Sequence, residues 1–265
     1  MKILITGHLG FIGSYLCKEL KKRHKLVGYD LRSGDDIRDR RKLEFIFETE
    51  NIDCVVHLAA LTGARRGELY PDEYFQVNVL GTKNVVDLCE KYNVNRLIHF
   101  SSSSVQNGAP DTIYGMSKYI GERIALRARI PTCIIRPFTV IGEYGRQDQV
   151  IYKWINQIQA GKMVQVHGLD TSRHFTYVGD IVSNVDALLD GWSVYHKLIE
   201  LCNPESISLR EMVEIFKCHF NDMKYEDIGL SPYELPSNTG RWDSIVEPTD
   251  ARRIIEKIIK HNKQR

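Results

Sequence analysis

Residues 6–13 read TGHLGFIG, and the architecture expected of the chain follows from this short stretch. An apolar, β-branched run precedes it, and a segment with helical periodicity follows it. The three glycines have the spacing GxxGxxG, which lets a backbone turn sharply and approach a pyrophosphate at the N-terminus of a helix. A strand before the loop and a helix after it predict a dinucleotide site. The residues expected to hold the dinucleotide here are Gly7, Gly10, Phe11, Ile12 and Gly13.

An acidic residue lies where such a site needs one. Asp30 ends the second apolar run, about 20 positions beyond the loop. A carboxylate there accepts hydrogen bonds from the hydroxyls of the adenosine ribose and repels a 2′-phosphate. Asp30 therefore favours NAD over NADP as the cofactor, although the neighbouring Arg32 acts in the opposite direction.

Short β-branched runs alternate with longer helical segments in the first half of the chain. This alternation predicts an α/β protein with a Rossmann-type, doubly wound parallel sheet. The predicted strands span residues 2–6, 25–29, 54–58, 96–101 and 132–136, and the predicted helices span residues 12–22, 40–48, 74–92 and 114–127.

The alternation loosens after Pro137. The further helices are predicted at residues 149–160, 180–190, 208–220 and 249–260, and the further strands at residues 164–166, 175–178 and 198–202. We expect residues 1–203 to form the NAD-binding domain, with a substrate-lobe insertion around residues 140–163. Residues 204–265 are expected to form a small substrate-binding lobe.

Composition argues against several classes of partner. The 265 residues include 36 Lys+Arg and 34 Asp+Glu, so the charges are nearly balanced. A protein that binds nucleic acids or anionic membranes usually carries a concentrated excess of basic residues. The six cysteines are scattered without close pairs, which is typical of buried thiols in a reducing compartment and not of a metal site. No apolar run approaches the roughly 20 residues of a membrane span. We therefore expect a cytoplasmic protein with no metal, no nucleic acid and no membrane partner.

A second stretch, SSSSVQNGAPDTIYGMSK at residues 101–118, brings hydroxyl groups and an amine together. On a helix, residues i and i+4 share a face, so the Lys118 ammonium group can lie near the Tyr114 hydroxyl. A nearby positive charge lowers the pKa of a phenol from its usual value of about 10, which makes the phenol a usable proton acceptor near neutral pH. The serines follow a predicted strand at the sheet edge where ligands of open α/β folds bind. The stretch therefore predicts proton chemistry.

Taken together, these motifs resemble those of extended short-chain dehydrogenases/reductases, in the nucleotide-sugar epimerase/dehydratase family. The matching pieces run in order along nearly the whole chain: TGHLGFIG at 6–13, Asp30, DIRD at 36–39, VVHLAA at 55–60, NVLGT at 78–82, HFSSSS at 99–104, YGMSK at 114–118, IIRPFTVIG at 134–142 and RHFTYVGDI at 173–181. The resemblance implies a Rossmann-type fold, bound NAD and a catalytic Ser/Tyr/Lys group. The closest likeness is to UDP-glucuronate and UDP-glucose 4-epimerases.

The resemblance also assigns roles to individual residues. Ser102 matches the catalytic hydroxyl residue, with Ser103 as the alternative register, and Tyr114 would be the base. Lys118 would bind the nicotinamide ribose and lower the pKa of the tyrosine. The remaining positions implied in the NAD site are Arg32 beside Asp30, Asp36 and Ile37 near the adenine, and Leu58, Ala59, Ala60 and Asn78.

The substrate implied by the resemblance is a nucleotide-diphosphate sugar. Residues 136–151, RPFTVIGEYGRQDQVI, are similar to the corresponding segment of UDP-uronic acid epimerases. By that likeness Ser102, Ser103, Thr139 and Arg146 would contact the sugar or its carboxylate, and Arg173 would hold the diphosphate, because a guanidinium group suits both kinds of anion. The resemblance also implies a homodimer in which the helices at 74–92 and 114–127 form a four-helix bundle.

The residues after the catalytic hydroxyl limit the reaction. Relatives that dehydrate sugars carry Asp-Glu at these positions, and decarboxylating relatives carry a glutamate in the same segment, whereas this chain has Ser103 and Ser104. The resemblance therefore implies a 4-epimerase of a UDP-hexose or UDP-hexuronate, which oxidises C4 transiently and returns the hydride to either face. An NAD(P)H-dependent reductase of 4-keto nucleotide sugars and a non-catalytic dinucleotide-binding protein remain as alternatives. The segment at 105–113 and the region after residue 203 are shorter than in the family.

Overall fold

The computed structural model describes residues 1–108, 111–191, 198–230, 239–244 and 246–263. Its strands are β1 Lys2–Thr6, β2 Lys25–Tyr29, β3 Cys54–His57, β4 Arg96–Phe100, β5 Thr132–Pro137, β6 Val140–Ile141, β7 Val164–Val166, β8 Ser172–His174, β9 Thr176–Tyr177, β10 Leu198–Leu201, β11 Ser206–Ser208 and β12 Tyr225–Asp227. Its α-helices are α1 Phe11–Leu20, α2 Arg40–Thr49, α3 Ala64–Leu69, α4 Pro71–Tyr74, α5 Thr82–Lys91, α6 Ile113–Leu126, α7 Val150–Gln159, α8 Val178–Asp190, α9 Leu209–His219 and α10 Ala251–Lys263.

The main sheet has the strand order β10-β5-β4-β3-β1-β2. Strands β1 to β5 pair in parallel, with helices in the connections between them. Because parallel strands end at the same edge of a sheet, the segments that follow β1, β2, β3 and β4 meet along one edge. The predicted Rossmann-type fold is thus confirmed.

The helix predicted at residues 74–92 is built differently from an ordinary α-helix. A π-helical segment, Phe75–Gly81, joins α4 to α5. Such wider turns are rare in helices and are frequent at functional sites. The buried Asn78 lies within this segment.

Two compact units divide the chain. The first consists of residues 1–137 and 182–200, and the second of residues 138–181 and 201–265. Leu4, Val55, Leu97 and Ile134 of the sheet form the centre of one buried cluster in the first unit. In the second unit the core is a separate cluster around Trp154, Phe216 and Ile255. The domain boundary predicted after residue 203 stays a prediction.

The second half of the chain shows most of the differences from the predicted elements. The strand expected at residues 175–178 is only β9, Thr176–Tyr177, which pairs with β6, because Val178 already begins α8. The buried Phe175 separates β9 from β8, which pairs with β11. The elements β6, β8, β11, β12 and α3 were not predicted, because they are too short to show a periodic pattern.

Neither a membrane-spanning helix nor a metal-binding cluster is found in the described residues. Within them, no helix has both the length and the apolar character needed to cross a bilayer. The cytoplasmic location stays a prediction. In the same residues, no three His, Cys, Asp or Glu side chains are grouped so as to hold a metal ion.

Two histidines are buried side by side in neighbouring strands of the sheet. The ring centroids of His57 and His99 lie 5.2 Å apart. His57 Nδ1 lies 2.6 Å from Thr6 Oγ1, and its Nε2 lies 3.0 Å from Thr82 Oγ1. Burial, with a smaller contribution from the nearby Lys118 charge, lowers the pKa of His57 to about 3. The imidazole is therefore neutral in the folded protein at neutral pH.

This burial predicts an acid-sensitive fold. The unfolded chain takes up a proton on His57 below about pH 6.5, whereas the folded protein does not do so until about pH 3, so the free energy of unfolding falls as the pH drops between these values. We expect His57→Gln to be less stable near pH 7. As the pH falls below about 6.5, the free energy of unfolding should decrease more slowly in His57→Gln than in the unchanged protein. The difference in slope should be up to about 1.4 kcal/mol per pH unit.

Urea titrations between about pH 4.5 and pH 8, a range that spans the usual histidine pKa, measure this slope. Thr82→Val is the matched control, because it removes a hydrogen-bond partner of the same imidazole and leaves the titrating group in place. It should lose stability and keep the original slope. An unchanged slope in His57→Gln would contradict the neutral, buried state of this histidine.

Candidate active site

The glycine loop packs closely against the end of β3. Gly7 has a φ of +76°, and its N–H donates to the carbonyl of Tyr29 at 2.8 Å. A Cβ at Gly7 would lie 2.8 Å from the backbone nitrogen of Ala59, and one at Gly13 would lie 2.2 Å from the carbonyl oxygen of Gly7. Neither position can carry a larger side chain without displacing backbone atoms.

The start of α1 is suited to an anion. Its N-cap is Gly10, which has no side chain to occupy the N–H groups of the first turn, and Phe11, Ile12 and Gly13 form that turn. Unpaired N–H groups and the positive end of the helix dipole favour a negative group such as a pyrophosphate. The loop therefore fits the predicted role of its residues.

Asp30 joins the loop to the end of β2. Its carboxylate is largely buried and accepts hydrogen bonds from the N–H of Leu9 at 3.0 Å and the N–H of Arg32 at 2.9 Å. A carboxylate has lone pairs for further donors, so two ribose hydroxyls can still be bound. The Arg32 guanidinium donates to the carbonyl of Leu9 at 2.7 Å, which uses part of its hydrogen-bonding capacity on the loop itself.

The other positions predicted to hold NAD lie around the same edge of the sheet. Thr6 accepts from the N–H of Leu58 through its carbonyl, at 3.1 Å, and from the N–H of Ala59 through its hydroxyl, at 3.3 Å, and Ala60 follows directly. Ile37 is buried against Gly81, where a Cβ would lie 2.5 Å from Ile37 Cδ1.

Asp36 is held by an ion pair. Arg38 donates to its carboxylate through Nε and Nη2, and this contact lowers the pKa of Asp36. Tyr29 donates its hydroxyl to the carbonyl of Asp36 at 3.0 Å, which fixes the backbone after β2.

Asn78 is buried in the π-helical segment and bonds two other segments. Its Oδ1 accepts from the N–H of Leu61 at 2.7 Å, and its Nδ2 donates to the carbonyl of Leu61 and to Ser117 Oγ at 3.0 and 2.9 Å. Asn78 therefore ties the segment after β3 to the helix α6 that carries Tyr114 and Lys118. Its position within the helix differs from the capping position that an asparagine often takes.

Tyr114 and Lys118 lie one helical turn apart near the start of α6. Thr112 caps this helix by accepting from the N–H of Gly115 at 3.1 Å. The partly buried Tyr114 ring packs edge-to-face against Tyr74, with centroids 6.3 Å apart. Tyr74 in turn donates its hydroxyl to the carbonyl of Thr62 at 2.6 Å.

Lys118 is fixed by the strand behind it. The side chain is buried, and Nζ donates to the carbonyl of Phe100 at 2.6 Å. Burial lowers the pKa of Lys118 to about 8, and the negative charge of Glu122 partly opposes that shift. The amine is therefore mostly an ammonium group at pH 7, as the predicted proton chemistry requires.

The serines follow β4 in an irregular turn. Ser102 is buried, and its hydroxyl donates to Ser104 Oγ at 3.2 Å and accepts from the N–H of Ser104 at 3.1 Å. A 3₁₀ turn, Ser103–Gly108, begins at the next residue. Residues 109–110 of the shortened segment lie outside the described residues. The assignment of Ser102 over Ser103 as the catalytic hydroxyl stays a prediction.

Three predicted substrate residues lie in the second unit. Thr139 accepts from the N–H of Thr176 through its carbonyl at 3.1 Å, and the Arg173 guanidinium donates to the carbonyl of Ser172 at 2.8 Å. Arg146 forms a two-pronged ion pair with Asp148, through Nε at 2.9 Å and through Nη2. The roles of these residues stay predictions.

One charged group of the site was not predicted from the sequence. Glu122 lies one turn beyond Lys118 on α6, fully buried, and forms an ion pair with Arg136 of β5. A carboxylate four residues after a predicted catalytic lysine shares its helical face, and this spacing could have identified it.

Comparison with known proteins gives a consistent result. The chain matches the NAD dependent epimerase/dehydratase family over residues 3–194. It is 28% identical to Protein CapI of Staphylococcus aureus, in an alignment that covers 94% of this chain and 93% of that protein. It is 30% identical to the UDP-glucuronate 4-epimerase of Thermodesulfobacterium geofontis, over 75% of this chain and 65% of that enzyme.

A solved structure resembles the chain over its full length. MoeE5 in complex with UDP-glucuronic acid and NAD is 26% identical, with a TM-score of 0.89, and the match covers 100% of this chain and 99% of that chain. The segment that matches the family contains the glycine loop, Asp30 and the helix with Tyr114 and Lys118. The chain therefore belongs to the NAD-dependent epimerase/dehydratase family.

Proposed function

We propose that this chain is an NAD-dependent nucleotide-sugar 4-epimerase that acts on a UDP-hexose or UDP-hexuronate, with UDP-glucuronate as the preferred substrate. The observation that carries the proposal is the buried ammonium group of Lys118, bonded to the end of β4 one helical turn from Tyr114. This arrangement lies at the same sheet edge as the glycine loop and Asp30, and the relatives of the chain include a UDP-glucuronate 4-epimerase.

The residues at this edge fit NAD. The glycine loop offers the open first turn of α1 to a pyrophosphate, and the Asp30 carboxylate has free lone pairs for ribose hydroxyls. When bound, NAD supplies a hydride acceptor at sugar C4 and returns the hydride in the same turnover, so the reaction needs no external reductant. The buried carboxylate disfavours a 2′-phosphate and therefore NADP.

Each member of the catalytic group has a proposed task. Tyr114 takes the proton from the sugar 4-hydroxyl and later returns it. Lys118 stabilises the Tyr114 phenolate through its positive charge and binds the nicotinamide ribose. Ser102 bonds the 4-oxygen and keeps it aligned with the phenol. General acid–base catalysis of this kind contributes about 10²–10⁴-fold to a rate.

The residues beside this group favour epimerisation over elimination. Ser103 and Ser104 occupy the positions where an acid and a base would be needed to remove water from the sugar. Hydroxyl groups with a pKa far above neutral do not replace a carboxylate pair. Transient oxidation at C4 is thus the chemistry that this set of side chains supports best.

The preference for UDP-glucuronate rests on the relatives and on two arginines. The structure of MoeE5 holds UDP-glucuronic acid, and Arg146 and Arg173 are the positions expected to meet the anionic parts of such a substrate. Arg146 is paired with Asp148 in the free protein, so a substrate carboxylate would have to take the place of that carboxylate. The fork of a guanidinium group suits either partner equally.

We further propose a homodimer through the helices before and after β4. Large apolar side chains are exposed on both of these helices of the first unit, namely Leu80 in the π-helical segment and Met116 and Ile120 on α6. Grouped exposed apolar side chains are typical of a protein–protein contact.

The proposal predicts C4 inversion without added cofactor. UDP-glucuronate, UDP-glucose and UDP-N-acetylglucosamine are each incubated with the protein as purified and followed by NMR. We expect the 4-epimer of UDP-glucuronate to form fastest, and no net change in the ratio of NAD to NADH. Turnover that consumes a reduced cofactor and a keto sugar would contradict an epimerase.

Tyr114→Phe tests the proposed base. The ring keeps its packing against Tyr74 but cannot exchange a proton, so we expect kcat to fall by about 10²–10⁴-fold while NAD binding is retained. Tyr92→Phe is the matched control, because the Tyr92 hydroxyl bonds to Glu44 and Glu48 of α2 and has no role in the proposed chemistry. Activity near that of the unchanged enzyme in Tyr114→Phe would remove Tyr114 from the mechanism.

Asp30→Ala tests the choice of cofactor. Loss of the carboxylate removes both the acceptor for ribose hydroxyls and the repulsion of a 2′-phosphate, so we expect the preference for NAD over NADP to fall at least about tenfold. The preference is measured as the ratio of the two dissociation constants. Asp87→Ala, which removes a charge from the surface of α5, should leave this ratio as it is. Unchanged discrimination in Asp30→Ala would show that another residue selects the cofactor.

A further inference from the structure

The buried Glu122 of α6 accepts hydrogen bonds from two other segments of the chain. Its side chain is 1% exposed, and its carboxylate accepts from Arg136 Nε at 2.9 Å, from Arg136 Nη2 at 2.6 Å and from Ser101 Oγ at 2.7 Å. Arg136 also reaches Glu200 of β10 through Nη1 at 3.3 Å. Three segments of the first unit thus meet at one carboxylate.

Such a group is expensive to bury if it serves stability alone. Moving a carboxylate and a guanidinium group out of water costs several kcal/mol per ion, and well-packed apolar residues of similar volume often stabilise a protein as well or better. An ion pair at this position is therefore more readily explained by what it holds in place.

The bond to Ser101 fixes the residue between two members of the proposed active site. Phe100, whose carbonyl accepts from Lys118 Nζ, precedes Ser101, and Ser102, the proposed catalytic hydroxyl, follows it. Lys118 and Glu122 lie one turn apart on α6, and they hold two consecutive residues at the end of β4. The helix that carries Tyr114 is thereby clamped to the end of β4, from which the turn with Ser102 continues.

Glu122 also acts on the charge of Lys118. The groups that face Lys118 from the neighbouring strands are His57 and His99, and both are neutral because burial lowers their pKa values far below the usual range. Burial lowers the pKa of Lys118 as well, and the carboxylate of Glu122 is the nearby charge that raises it. Arg136 faces the other side of Glu122, and Glu200 is its second carboxylate.

We propose that Glu122 is a positioning residue of the active site: it aligns Ser102 by holding Ser101 and keeps the Lys118 amine protonated, so that Tyr114 remains an effective base. This inference rests on the function proposed above, because it assumes that Tyr114 and Lys118 carry the proton transfer. Glu122 acts only through these residues and does not itself meet the substrate.

Loss of the carboxylate should change the pH dependence in a defined direction. In Glu122→Gln the pKa of Lys118 falls below about 8, because burial is no longer opposed and Arg136 keeps its positive charge. Lys118 then loses its proton at a lower pH. Since the proposed chemistry needs the ammonium form, the alkaline limb of kcat should move to lower pH by about one unit.

Two measurements on the NAD-bound protein test this inference. The first is the pH profile of kcat for C4 inversion. The second is the titration of the Lys118 amine by NMR with ¹⁵N-labelled lysine, without any sugar. Glu122→Gln should shift both to lower pH. Glu122→Asp keeps a carboxylate, so both should lie close to those of the unchanged protein. A Lys118 titration or an alkaline limb of kcat that Glu122→Gln leaves unshifted would overturn the inference.

Two further variants separate the effect of the clamp from the effect of the charge. Ser101→Ala removes the clamp without changing a charge. It should therefore lower kcat but leave the alkaline limb of kcat and the titration of Lys118 at their original pH. Where Glu122→Gln does not fold because it leaves Arg136 unpaired, Glu122→Gln with Arg136→Met removes both charges, and its lysine titration should still lie below that of the unchanged protein.

The two proposals can fail separately. Without C4 inversion in the unchanged protein the proposed function fails, while the lysine titration still decides whether Glu122 keeps Lys118 charged. With C4 inversion present and the titration of Lys118 unaffected by Glu122→Gln, only the role of Glu122 is overturned.

Discussion

A buried ammonium group is the constraint on which this active site depends. Lys118 lies away from solvent and bonds to the carbonyl of Phe100, so its charge costs desolvation that the surrounding groups must offset. The hydrogen bond to Phe100 offsets part of this cost, and it can form only if α6 lies close to the end of β4. Gly121 and Ser117 let α6 also lie close to the π-helical segment: a Cβ at Gly121 would lie 2.8 Å from the carbonyl of Asn78, and Ser117 accepts from the Asn78 amide. The position of Tyr114 follows from that of Lys118.

The dinucleotide side of the site depends on a second set of buried polar contacts. Thr6, at the end of β1, contacts both His57 and the backbone of Ala59, and His57 contacts Thr82 behind the π-helical segment. The glycine loop rests on this layer, and Asp30 joins it from β2. These contacts order the floor of the site in the free protein, so NAD does not have to order it on binding. Preorganisation of this kind reduces the entropic cost of binding a ligand.

Much of this could be predicted from the sequence, because the signals are local. The strands at residues 2–6 and 25–29 were predicted with the observed bounds, and the family and the Rossmann-type fold are confirmed. What could not be predicted depends on distant residues. The Asn78 contact with Ser117 joins residues 39 positions apart, and the partner of Glu122 is a strand arginine. The short strands of the second unit have too few residues for a periodic pattern, and the pairing of Arg146 with Asp148 leaves no trace in the spacing alone.

The Lys118 charge is expected to make Tyr114 acidic enough to act as a base near neutral pH, and the chemistry proposed for the site depends on this effect. The most direct measurement is the ionisation of Tyr114, followed by ultraviolet difference titration of the NAD-bound protein, with the Tyr114→Phe protein subtracted to isolate this phenol. We predict that Tyr114 ionises well below the usual phenol pKa of about 10, and that Lys118→Met abolishes this lowering. A Tyr114 that ionises at its usual pKa or above, or one whose ionisation is the same in Lys118→Met, would contradict this coupling.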